Sequence, residues 1–167
     1  VEKSDMVFIP DIKSAFVDPF FREPALTMIG DIHTLDGGRK RYEGDPRYVA
    51  EKAEEYMLES GIADTCLLGP EFEFYILDHI SYRNSPNHME VFLDSAQAEW
   101  NSADREAKNL GYKVPAHGGY HADLPMDITL DLRNEMVANM EKLGVPVKYH
   151  HSENGGPGQV EIELGFG

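Results

Sequence analysis

Gly69-Pro70-Glu71-Phe72-Glu73-Phe74 is the stretch on which the reading of this chain turns. A strand sends alternate side chains to one face. Phe72, Phe74 and Ile76 therefore project one way, and Glu71, Glu73 and Tyr75 the other. Two ionised carboxylates at that spacing repel, and burying them unpaired is costly. A second segment poses the same problem: His150-His151-Ser152-Glu153-Asn154-Gly155-Gly156-Pro157-Gly158-Gln159-Val160-Glu161. A divalent cation is the simplest relief, and oxygen ligands suit Mg2+, Mn2+ or Ca2+ better than zinc. Taken singly, each segment also fits a bland description. Glu71 and Glu73 fit the solvated face of an edge strand. Glu161 and Glu163, alternating with Val160, Ile162 and Leu164, fit a half-exposed one. The glycines fit a hairpin loop, and no Lys-Ser/Thr pair follows them to make a phosphate-binding loop. Adjacent histidines on a strand point to opposite faces, and without a third His or Cys beside them they do not make a zinc set.

Working outward, two helices stand out. Asp45 is placed to cap the first, Pro46 suits its first position and Gly61 its end. Val49, Ala53, Tyr56 and Met57 are its expected buried stripe. The second spans about Asp127 to Leu143, with Ile128, Leu132, Met136, Met140 and Leu143 at helical spacing, and Gly144 and Pro146 beyond it. Strands are expected at Thr65–Leu68 and Glu71–Leu77, and a strand pair at Val145–Tyr149 and Val160–Leu164. Short strands open the chain at Met6–Ile9, Ala15–Val17 and Leu26–Ile29, punctuated by prolines. Their partners are not evident in the sequence, so a sheet begun upstream is expected. Thr34 to Gly44 reads as a linker. Residues 79 to 115 offer few periodic cues, which in a compact domain points to a functional or mobile stretch.

The chain has 167 residues, enough for one domain with a core, and 41% are apolar. No apolar run is long enough to cross a bilayer, and the opening Val1-Glu2-Lys3-Ser4-Asp5 is not a signal peptide. It lacks an initiator Met, as a processed or excised piece would. The formal charge of −15 argues against a nucleic-acid partner. The single cysteine, Cys66, forms no internal disulfide, reads as a buried thiol, and fits a reducing, cytoplasmic setting.

In combination these segments resemble the glutamine synthetase family. Gly69-Pro70-Glu71-Phe72-Glu73-Phe74 is similar to the family's Gly-Pro-Glu-x-Glu-Phe strand. Glu99-Trp100-Asn101-Ser102 resembles its Trp-Asn motif, and Gly118-Gly119-Tyr120 its Lys-Gly-Gly-Tyr, with His117 in place of lysine. His150 to Glu161 resembles its His-His-Glu…Gly-Gln-x-Glu segment, with Ser152 where a further histidine is usual. Glu2-Lys3-Ser4-Asp5-Met6 and Asp18-Pro19-Phe20 also follow the pattern. The resemblance covers essentially the whole chain, but only the middle of a family member.

It implies an α+β fold. Residues 1–42 would be the C-terminal part of a β-grasp domain with its linker. Residues 43–167 would be the first part of a catalytic domain, with antiparallel strands and flanking helices. It implies a ligase of nitrogen metabolism that makes glutamine from glutamate, ammonium and ATP with Mg2+ or Mn2+, as a cytoplasmic homo-oligomer. Carried over, Glu73, Glu153 and Glu161 hold one metal and Glu71 the second. Glu153 and Tyr120 border the ammonium pocket. His151 lies near the nucleotide, Phe166 lines the adenine pocket, and Asp5 helps order a loop of an adjacent subunit. The family's downstream metal ligands and arginines have no counterpart in these residues, so the 167-residue chain by itself is expected to be inactive. Two other readings stay open: a related ligase for another amine, and a non-catalytic structural segment.

Overall fold

The computed structural model describes residues 5–35, 38–101 and 113–167. The fold is α+β: among the described residues, two helices accompany small antiparallel sheets. The chain divides into two compact units between Leu67 and Leu68.

In the first unit, strand β1 (Met6–Pro10) is followed by β2 (Phe16–Val17), β3 (Leu26–Thr27), β4 (Gly30–Thr34) and β5 (Lys40–Arg41). The opening strands find their partners inside the chain. β1 pairs antiparallel with β4 from Met6↔Thr34 to Pro10↔Gly30, and β2 pairs with β3. Much of the expected linker is itself paired, because His33 and Thr34 of β4 face Arg41 and Lys40 of β5.

Helix α1 (Pro46–Ser60) starts and stops where its punctuation places it. The Asp45 carboxylate accepts from Arg47 N at 3.0 Å, and Gly61 ends the helix at φ 68°. That left-handed angle suits glycine because it has no Cβ to clash. The expected apolar stripe is not buried: Val49, Ala53 and Tyr56 are exposed and Met57 only half-buried. Charge anchors the helix start instead. Arg47 donates to Asp31 at 2.8 Å and to Asp11 at 2.9 Å, and Arg41 donates to Asp45 at 2.8 Å and to Glu51 at 3.0 Å. The buried Asp45 carboxylate also accepts from Ile32 N at 2.9 Å, tying the helix start to β4.

The second unit holds β6 (Glu71–Tyr75), the hairpin β7 (His79–Ser85) and β8 (His88–Asp94), helix α2 (Leu130–Lys142), and strands β9 (Val147–Ser152) and β10 (Gln159–Leu164). Thr65–Leu68 is not a strand and Cys66 is exposed, contrary to expectation. Only Leu68 exchanges backbone hydrogen bonds there, with Gly167 at 2.9 and 3.1 Å, so no ladder encloses the thiol. The β7–β8 hairpin occupies a stretch that looked irregular in sequence. Its signal is Pro86-Asn87 between alternating residues Ile80, Tyr82 and Met89, Val91, Leu93. Ser102 of the Trp-Asn motif lies outside the described residues.

α2 lies within its expected span, and Gly144 beyond it takes φ 82°. Its expected stripe does not carry the packing: Ile128 and Leu132 are exposed, and Arg133 is the buried residue of the helix. Arg133 Nε donates to His150 Nδ1 at 3.1 Å, and its NH groups donate to Asp127 at 3.0 and 2.5 Å and to Thr129 Oγ1 at 2.5 Å. A satisfied polar network therefore docks the helix on β9. Among the described residues, no helix is long and apolar enough to cross a membrane.

Candidate metal centre

The centre is built on the sheet order β6-β10-β9. Central β10 places Glu161 opposite Glu73 on one side and His151 on the other. Glu163 stands opposite Glu71 and Tyr149. Residues directly opposite share a face. One face therefore gathers Glu71, Glu73, Glu161, Glu163, His151 and Tyr149. The other carries Phe72, Phe74, Val160, Ile162 and His150. Val160 and Ile162 are buried, so register locks the acidic set to its side; a one-residue slip would invert every side chain.

Two loops complete the face. After β9 the chain turns through Glu153 to Gly158, closed by Glu153 N donating to Gln159 O at 2.9 Å and Gln159 N donating to Gly156 O at 3.1 Å. Gly158 takes φ 85°, and a Cβ there would lie 2.4 Å from Ile76 O, so this tight approach requires glycine. The loop Gly118–His121 is fastened to the end of β9 by His121 N donating to Ser152 O at 3.0 Å. It stacks the His121 ring on His151 at 4.1 Å and 17°, and sets Tyr120 edge-on to His151 at 5.3 Å.

Donor atoms of His151, Glu153 and Glu161 lie within 4.8 Å of one another, as do those of Glu71, Glu161 and Glu163. His151 Nε2 is 3.5 Å from Glu161, and Nδ1 is 3.7 Å from Glu153. Glu161 is 7% exposed. Burial pushes its carboxyl above the ordinary range; the neighbouring Glu71 and Glu153 add to the rise and His151 opposes it. Glu163 behaves oppositely: an ion pair with Lys148 and a hydrogen bond from Tyr149 hold it below the ordinary range. The Tyr149 phenol, donating to Glu163, is pushed up to about 12. On the far face, burial and then the Arg133 charge push His150 down.

The residues picked out in the sequence fall into three sets. Glu71, Glu153, Glu161 and His151 converge, with Tyr120 beside His151. Glu73 shares their face, but its carboxylate accepts from Gln159 Nε2 at 3.0 Å and lies outside both donor groups. Phe166 lies over Gly69, with Lys148 Nζ 5.5 Å from its ring. Asp5 is exposed in the first unit. Sequence reading missed Glu163, Tyr149 and Lys148 as members of the centre. The alternation Glu161-Ile162-Glu163 carried the signal for Glu163, whereas the other two needed the β9–β10 register. His121 was also missed, because a left-handed turn at φ 53° brings it back to β9.

The donor chemistry fits a divalent cation. A buried carboxylate with a raised proton affinity, one imidazole and further carboxylates on one rigid face match the ligand preferences of Mg2+ and Mn2+.

Comparison with known proteins gives a consistent result. The family model described as glutamine synthetase, catalytic domain, matches residues 43–167. The chain is 42% identical to a glutamine synthetase of Aquifex aeolicus and 39% identical to that of Escherichia coli K12, in each case over 99% of its length. It is 40% identical, again over 99% of its length, to a 3-hydroxylaminophenol mutase of Cupriavidus pinatubonensis. It spans about a third of the curated relatives it matches, 34% and 35% of the three named here. A Plasmodium falciparum glutamine synthetase structure superposes with a TM-score of 0.82, over 99% of this chain and 32% of that one, at 22% identity. That likeness speaks to the fold alone.

Proposed function

The chain belongs to the glutamine synthetase family, and from that premise we propose that it carries part of the active site of a glutamate–ammonia ligase. The reaction is ATP-dependent: the γ-carboxylate of glutamate attacks the γ-phosphate, and ammonia then displaces phosphate from the γ-glutamyl phosphate. Glu73, Glu153 and Glu161 would hold one Mg2+ or Mn2+, and Glu71 the second. When bound, such ions neutralise phosphate oxygens and let one carboxylate approach a polyanion.

The chain's own residues have distinct tasks. Rigid β10 fixes Glu161 in direction and depth, which positions whatever it binds. Tyr120 and Glu153 flank His151 and would border the ammonium pocket, where negative charge favours NH4+ over neutral competitors. His151 and Phe166 would face the nucleotide. Asp5 would order a loop of an adjacent subunit in a cytoplasmic homo-oligomer. Residues 1–42 would close a β-grasp domain and residues 43–167 open the catalytic one.

The observation that supports this reading most is Glu161, buried on the central strand between Glu73 and His151 and shifted toward its neutral form. The test is ADP release by the protein that carries this segment. It should require both glutamate and ammonium and be lost in Glu161→Gln. If an alkylamine or polyamine reacts and ammonium does not, the ammonia reading fails in favour of another amine ligase.

A further inference from the structure

We propose that His151 is itself a metal ligand, forming a mixed nitrogen–oxygen set with Glu153 and Glu161. This rests on the metal-holding reading above and gives it a ligand that the family motif does not supply. The argument begins with the proton on the imidazole. His151 Nδ1 lies 2.9 Å from Ser152 O. A carbonyl oxygen only accepts, so Nδ1 carries the hydrogen and Nε2 keeps its lone pair. That lone pair points toward Glu161 Oε2 at 3.5 Å. Two acceptors facing each other repel unless a cation sits between them. Histidines that bind metals characteristically donate their other ring N–H to a carbonyl or carboxylate, which fixes tautomer and ring direction.

The spacing agrees. Ligands about 2.1 Å from one ion lie roughly 3.0–3.5 Å apart at octahedral or tetrahedral angles. The ring is also held in place. His151 is 7% exposed, stacked on His121 and braced by Tyr120. His150 differs in every respect: it faces α2, and its Nδ1 accepts from Arg133. A nitrogen donor shifts preference from Mg2+ toward Mn2+, because imidazole suits transition ions better than hard ones.

Mn2+ titrated into the protein, followed by pulsed electron paramagnetic resonance, tests this directly. Bound Mn2+ should show 14N coupling from an imidazole. The coupling should persist in His121→Gln and His150→Gln. It should vanish in His151→Gln, with Mn2+ affinity falling about tenfold or more and Mg2+ affinity less. Bound Mn2+ without 14N coupling overturns the inference and leaves the carboxylate-held metal standing, as does coupling that survives in His151→Gln. No Mn2+ bound by the wild type overturns both. If His151→Gln fails to fold, the wild-type spectrum and the other two variants still decide: coupling kept in both supports His151, and coupling lost in either overturns it.

Discussion

Arg133→Met should unfold the second unit more readily than any other single change that leaves the acidic face untouched. Arg133 is 1% exposed and its partner Asp127 2%. The guanidinium spans Asp127 with two donors, at 3.0 and 2.5 Å, and reaches His150 with a third. Charges about 4 Å apart at an effective dielectric near 20 attract by ~4 kcal/mol. Removing one partner strands the other without water, at a cost of about 3–5 kcal/mol. Methionine fills similar volume, so little of the loss comes from a cavity. The double variant Arg133→Met/Asp127→Leu should recover most of the loss, because no buried charge remains.

The pH dependence separates this from a simple packing defect. Burial alone would raise the Asp127 carboxyl, but hydrogen bonds from Arg133 and Thr129 outweigh it and hold the carboxyl below its ordinary value. A depressed folded value adds stability above the unfolded pKa, and that stability is lost as pH falls through the folded value. In Arg133→Met only the burial term and the Thr129 bonds remain, so the folded value moves above the unfolded one. Acidification from neutrality should then stabilise the variant relative to wild type. Urea unfolding at pH 7 and pH 5 measures both effects. A loss under 1 kcal/mol at pH 7, or equal pH slopes in the two proteins, would refute the reasoning.

Three further outcomes follow from the acidic face. Glu161→Gln should raise the Tm of the metal-free protein by about 2 °C or more while costing more activity in the ligase than Glu163→Gln; calorimetry and ADP release check this, and equal activity losses would undermine the register. The Tyr149 phenol should titrate near 12 by ultraviolet absorbance and fall toward about 10 in Glu163→Gln; an unchanged titration would remove the Glu163 hydrogen bond as its cause. Gly158→Ala should cost about 2–3 kcal/mol, because the new Cβ meets Ile76 O at 2.4 Å and φ is 85°; denaturant unfolding within 0.5 kcal/mol of wild type would contradict the close approach.

Local chemistry was legible wherever it acts over a few residues. Asp45-Pro46 and Gly61 fixed the ends of α1, and Gly144 the end of α2, because caps and left-handed turns are decided by adjacent atoms. The acidic face was legible for the same reason: alternation along β6 and β10 needs only the pleat. Burial was not. Val49 and Tyr56 sit at helical spacing yet remain exposed, and α2 docks through Arg133 rather than its apolar stripe. Periodicity says which residues share a face, not what that face meets. Lys148 and Tyr149 joined the centre only through cross-strand pairing with Glu163. Pairing between strands is not a property of either strand's sequence.

The two faces of the β6-β10-β9 sheet follow opposite rules. On the helix side, Arg133 divides its donors among Asp127, Thr129 and His150, so that buried network satisfies itself. On the acidic side, Lys148 answers Glu163 alone. Glu161 has only an imidazole at 3.5 Å and other carboxylates around it. A fold selected for stability alone would place a Lys or Arg there. The deficit is local, and it sits on the strand whose opposite face carries buried Val160 and Ile162. That arrangement keeps the repulsion from reorganising the sheet. A positive ion arriving at Glu161 thus meets ligands already in place, and the attraction it gains is not spent on ordering them.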